Sequence, residues 1–298
     1  MTALINVGGT LPRPLWALTR FLLEVGRPVP EIEAQRFLSP PSLFGDTRSD
    51  TELTFSRTVK IARELGMLEE VGDKLSLTSQ LRNLEVDDVE GFYDLLRHAV
   101  LHRVAPDVLG SDPSNTEGKD LLRALTFFMT LDHDRKVDVN TFSQAQTGAL
   151  SEDLRNPFQN KERWTFFPAW AEALGFAESP LIGDMQARAL VPDCRKAVRR
   201  TIQQLWPHRV EVHPRDFIDE LLRALPVLPG GDYSRSLGFE LPATTVSQTL
   251  SSALLAAHDD GVIVLSFQSD AADPVALWDP GEGRGVRLVS RVVVEEAA

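Results

Sequence analysis

His98 and His102 stand four residues apart, a spacing that puts two imidazoles on one face of a helix and within reach of a single ion. No carboxylate holds the fixed position of a His-Glu-x-x-His site, so coincidence is the plainer reading and no metal is expected. Leu131-Asp132-His133-Asp134 contains a His-Asp pair of the kind used by metal phosphohydrolases, without the further His and Asp ligands that such chemistry needs. Asp132, Asp134 and Asp138 lack the glycine and terminal glutamate of a calcium loop. Gly230-Gly231 and Gly281-Glu282-Gly283-Arg284-Gly285 are not followed by the Lys-Ser/Thr of a phosphate-binding loop, and a hairpin turn explains the second cluster better. The single cysteine, Cys194, excludes an internal disulfide and a multi-cysteine zinc site, and reads as a buried inert thiol. With no nucleophile elbow and no Cys/His pairing, the chain is expected to be no enzyme and to need no cofactor.

Binding residues are easier to find. Arg195, Lys196, Arg199 and Arg200 fall on one broad face of a helix, a concentrated positive stripe in a chain whose formal charge is −12. Arg57, Lys60 and Arg63 lie off the apolar stripe of an earlier helix, with Thr54 and Ser56 expected on the same exposed side. These seven residues are the candidate nucleic-acid contacts, offering phosphate neutralisation and base-edge hydrogen bonds. The opposing reading is that they pair with the protein's own acids: 43 acidic residues face 31 basic ones, so DNA contact must be local.

The elements that carry these residues follow from periodicity. Leu15, Trp16, Leu18, Leu22 and Leu23 predict a helix ending at Gly26, after a Gly8-Gly9 and Pro12/Pro14 lead-in. A short helix over Glu31 to Leu38 follows, stopped by Pro40-Pro41. A third helix, N-capped by Asp50, places Phe55, Val59, Ala62 and Leu65 on one stripe and stops at Gly66. Met67 to Val71, Gly72-Asp73 and Lys74 to Leu77 then read as strand, tight turn and strand, the order of a winged-helix module.

Residues 85–155 read as a helical spacer, with helices over Val89 to Val100 and Leu121 to Leu131 and a loop from Asp107 to Gly118. After the Asn156-Pro157 break, a helix over Arg163 to Leu174, Gly175 and Phe176-Ala177-Glu178 repeat the earlier junction, with Ala189-Leu190-Val191 as the returning strand beyond Ser179 to Gln186. The aromatics Trp164, Phe166, Phe167, Trp170 and Phe176 read as core, with Pro168 bending or restarting the helix. A basic helix over Cys194 to Leu205 comes next. The last third predicts helices over Phe217 to Leu225 and Thr244 to His258, then strands over Val262 to Phe267, Val275 to Trp278 and Val286 to Val294. The expected class is therefore α+β, mostly helical: tandem winged-helix modules joined by a helical spacer, divided as 1–84, 85–155, 156–210 and 211–298.

Several segments resemble the DpdG family, proteins of bacterial clusters that place deazaguanine bases in DNA and restrict unmodified DNA. They are Leu4-Ile5-Asn6-Val7 with the Pro14-to-Val25 helix, Phe37-Leu38-Ser39-Pro40-Pro41, Ala62-Arg63-Glu64-Leu65-Gly66-Met67-Leu68-Glu69, Ala171-Glu172-Ala173-Leu174-Gly175-Phe176, and Ala257-His258-Asp259-Asp260-Gly261-Val262. The resemblance implies an accessory role in DNA modification or anti-phage defence beside partner enzymes, and lends no catalytic residues.

The leading expectation is a non-catalytic subunit that docks double-stranded DNA through local basic patches, protein partners, or both. The alternative is a dimeric winged-helix scaffold for a larger ATPase or nuclease complex, without direct DNA binding; a hydrolase around His133 and Asp134 stands third. No apolar run approaches the roughly 20 residues of a membrane span and no signal-peptide pattern is present, so a cytoplasmic location without membrane contact is expected.

Overall fold

A computed structural model of the chain describes residues 3–5, 11–40, 48–149, 154, 161–180, 188–242, 245–271, 273–283 and 285–296, without the side chains of 48–52, 70 and 161. The readings placed on Asn6-Val7, Gly8-Gly9, Pro41, Asn156-Pro157, Leu181 to Gln186, Thr244 and Arg284 lie outside the described residues. The third helix begins at Arg48, ahead of the expected start at Asp50, so Asp50 stands inside the helix and is not its N-cap.

The elements run α1 Pro12–Val25, β1 Val29–Pro30, α2 Glu31–Leu38, α3 Arg48–Glu64, β2 Leu68–Val71, β3 Lys74–Leu77, α4 Ser79–Arg82, α5 Val89–Leu101, α6 Pro106–Ser111, α7 Lys119–Phe128, α8 Val139–Gln146 and α9 Phe167–Ala173. They continue β4 Ala177–Glu178, β5 Val191–Pro192, α10 Arg195–Leu205, β6 Val210–Val212, α11 Pro214–Ala224, α12 Asp232–Ser236, α13 Gln248–Asp259, β7 Ile263–Ser266, β8 Val275–Trp278, β9 Val286–Val289 and β10 Arg291–Val294. Helix and sheet are mixed, with roughly half the chain helical and the strands in small antiparallel sheets. Two compact units emerge, residues 1–104 with 114–121 and 160–174, and residues 105–113 with 122–159 and 175–298.

In the first unit α1 packs on α3, and both rest on a sheet ordered β1-β3-β2. The α3 stripe of Phe55, Val59, Ala62 and Leu65 is buried, as its spacing requires. Gly66 ends the helix at φ 67°, a left-handed conformation that glycine alone adopts without strain, and the Met67 amide returns to the Ala62 carbonyl at 2.9 Å. A two-residue turn, Gly72-Asp73, joins β2 to β3 with Val71 opposite Lys74. Buried charges are matched: Arg97 meets Asp94 at 2.6 Å, and the Asp120 carboxylate accepts the Leu4 and Ile5 amides at 3.1 and 2.9 Å. Pro168 restarts the helix as α9 after a 3₁₀ turn over Lys161–Thr165, and Trp164, Phe167 and Trp170 are core.

The second unit is built on α10 lying along α13, with α11 against α10 and a sheet ordered β6-β10-β7. Phe176 is fully buried here. The stretch Val286 to Val294, expected as one strand, is two: β9 pairs with β8, and after Ser290 the chain enters β10 between β6 and β7. The expected loop from Asp107 to Gly118 instead begins inside α6 and ends in a 3₁₀ turn over Thr116–Gly118. Gly110 inside α6 serves close packing instead of a loop: a Cβ there would sit 2.4 Å from the Ser236 carbonyl oxygen of α12. Val137 bridges antiparallel to Leu190, beside the β4–β5 pair.

Candidate nucleic-acid interface

α3 presents Ser56, Lys60 and Arg63 to solvent, while Arg57 is half-buried. Thr54, expected beside Ser56, is turned inward instead: it is half-buried and lines a mostly apolar cavity of about 370 Å³ with Pro14, Leu18, Phe55 and Thr58. The helix is held at its C-terminal end by Arg103, whose Nη1 donates to the Glu64 carbonyl. Two carboxylates attend the cations. Arg63 Nη2 donates to Glu31 Oε2 of α2 at 3.0 Å, and Lys60 Nζ lies 4.0 Å from Glu64 Oε1 one turn on. The β2–β3 hairpin beside α3 exposes Glu69 and Asp73 against Lys74, so its own charge does not favour phosphate.

The second stripe sits on α10, whose opposite face of Ala197, Val198 and Ile202 is fully buried. Arg195, Lys196 and Arg199 are exposed and Arg200 is half-buried, so the face expected from the spacing exists. Its charge is shared with acids from elsewhere in the unit. Arg195 Nε donates to Asp193 at 2.7 Å and Nη2 to Glu178 at 3.1 Å; the hydrogen bond to Asp193 chiefly holds this guanidinium above its ordinary pKa. Arg199 reaches Asp260 at 3.2 Å, and Arg209 reaches Glu295 at 3.0 Å. The two candidate clusters fall in different units, α3 in the first and α10 in the second.

The residues set aside on chemical grounds take structural posts. Cys194 is the N-cap residue of α10, buried, with Sγ donating to the Thr249 carbonyl at 3.5 Å; burial pushes its thiol pKa far up. Asp138 caps α8 through the Thr141 amide at 2.8 Å, and that bond lowers its carboxyl pKa. Asp132 pairs with Arg135 at 3.0 Å, and the His133 ring stands edge-on to Trp278 with centroids 5.0 Å apart. Among the described residues no three His, Cys, Asp or Glu side chains converge as a metal site.

Sequence reasoning missed the counter-ions. Glu64 was in plain view four residues after Lys60. Glu31 and Asp260 carried no signal, because 32 and 61 residues separate them from Arg63 and Arg199.

No helix among the described residues is long and apolar enough to cross a membrane. No curated protein and no solved structure matches the chain. A model of the DpdG-like family matches residues 2–271 of its 298 residues. The chain belongs to the DpdG-like family.

Proposed function

We propose that this protein is a non-catalytic accessory subunit of a bacterial DNA-modification or anti-phage defence system, docking double-stranded DNA and protein partners in the cytoplasm. Membership of the DpdG-like family supports the setting, since that family implies a place in a deazaguanine-modification cluster. The architecture we infer is tandem winged helix. In residues 12–77 the order helix, strand, helix, helix, strand, strand comes with the last strand in the middle of the sheet. With α12 and the β8–β9 hairpin taken as insertions, the same order recurs over α10, β6, α11, α13, β7 and β10, again with the last strand central. Within the second unit, 190–192 also pair with Val137 on one side and β4 on the other, a further small sheet with its last strand central.

One observation carries the DNA assignment: of the helices α3, α9 and α13, which each lead through a glycine into a strand, α3 alone bears exposed cations. α9 and α13, with sequences FPAWAEA and QTLSSALLAAHD, contain no Lys or Arg. A helix without cations cannot neutralise phosphate, so Arg57, Lys60 and Arg63 of α3 would make the main contact. Arg195, Lys196, Arg199 and Arg200 would make a second one. Anisotropy of a labelled 20-base-pair duplex tests this. Charge reversal of Lys60 and Arg63 should abolish binding, reversal of Arg199 and Arg200 should weaken it, and unchanged binding by both variants refutes the interface.

The ion pairs of Arg63 with Glu31 and Arg199 with Asp260 favour a second reading, a dimeric interaction scaffold that does not touch DNA. Light scattering showing a dimer, with no duplex binding at moderate salt, would select it.

A further inference from the structure

α5 carries a feature that DNA docking does not use. His98 lies in its last turn, and His102 is its C-cap residue, with the His102 amide donating to the His98 carbonyl at 3.1 Å. That bond closes the helix and sets the two side chains one turn apart on the same face. Both residues are exposed, while Leu96, Arg97, Val100 and Leu101 are buried on the other side. The two imidazole centroids are 4.7 Å apart, their planes inclined at 43°.

We propose that His98 and His102 form a two-histidine site for a borderline divalent transition-metal ion, of the Ni²⁺ or Zn²⁺ type. The separation is one that chelation allows. A metal about 2.05 Å from a ring nitrogen is about 3.2 Å from the ring centroid, so two rings on one ion at a right angle have centroids about 4.5 Å apart, and at a tetrahedral angle about 5.2 Å apart. The observed separation falls between these. Imidazole selects such ions over hard cations, which prefer oxygen. No third protein ligand joins the pair among the described residues, so the ion keeps open positions filled by water and binds reversibly. This site is independent of the DNA interface and stands or falls without it.

The test is calorimetric titration of the untagged full chain with Ni²⁺ at about pH 7.5. One ion per chain is expected, displaced by Zn²⁺ and not by Mg²⁺. Losing one of two linked ligands removes the advantage of intramolecular binding, so His98→Gln and His102→Gln should each weaken Ni²⁺ by about 100-fold. His133→Gln should leave the affinity unchanged. A second reading comes from melting curves: Ni²⁺ should raise Tm in the parent chain and not in either variant. Ni²⁺ affinity within twofold of the parent in His98→Gln, or equal competition by Mg²⁺, overturns the proposal.

Discussion

Replacing Lys60 and Arg63 together by glutamine is the perturbation whose outcome follows most directly from the α3 geometry. If Arg57, Lys60 and Arg63 each neutralise one phosphate, the α3 contact alone should contribute about −2.7 to the slope of log K against log salt for a duplex, to which the second contact through α10 would add. The α3 contribution to affinity would then drop about 40-fold between 50 and 200 mM salt. With only Arg57 left on α3 that contribution becomes about −0.9, so the variant should lose about 12-fold less affinity than the parent over the same range. The variant should remain folded. Arg63 and Glu31 each expose 39% of their side chains, and pairs that open to water contribute less than about 1 kcal/mol. Fluorescence anisotropy on a 20-base-pair duplex across this salt range reads the slope. A parent slope near zero, or a variant slope equal to the parent's, would refute the reasoning, because either means that these cations meet no phosphate.

Three further outcomes rest on other parts of the fold. Asp120→Ala removes the acceptor of two buried amide hydrogen bonds, costing about 3 kcal/mol, and should lower Tm in a melting curve. Cys194 should resist thiol reagents in the native state and react on unfolding. Because its folded pKa is raised, the unfolded chain alone releases that proton, so stability should fall above about pH 8.5, by up to about 1.4 kcal/mol per pH unit. Gly175→Ala should destabilise the second unit. Its φ is 79°, and the added Cβ would lie 3.0 Å from the Ala197 backbone nitrogen; a melting curve matching the parent's would contradict this.

Much of the fold was legible because local chemistry and burial agree in it. The stripe Phe55, Val59, Ala62 and Leu65, the stop at Gly66 and the Gly72-Asp73 turn each follow from a rule about a few consecutive residues, and each is where expected. Two other features depended on distant chain. β6 has only Val210 and Val212 around Glu211, too short for a period to show, and becomes a strand because β10 pairs with it. The break at Ser290 is fixed by its amide donating to the Ser266 carbonyl at 2.9 Å, which an unbroken run of strand-forming residues does not reveal. The same holds at the candidate site. Spacing placed Lys60 and Arg63 on the exposed face of α3 and the α10 cations on one stripe. It did not show that Glu31, Asp193, Glu178 and Asp260 come to meet them.

The α3 assignment is most directly tested by hydrogen–deuterium exchange of the full chain with and without a saturating 20-base-pair duplex. Slowed exchange concentrated in Arg48–Glu64 is the predicted result. Duplex-dependent protection confined to other segments, or none anywhere, would contradict it.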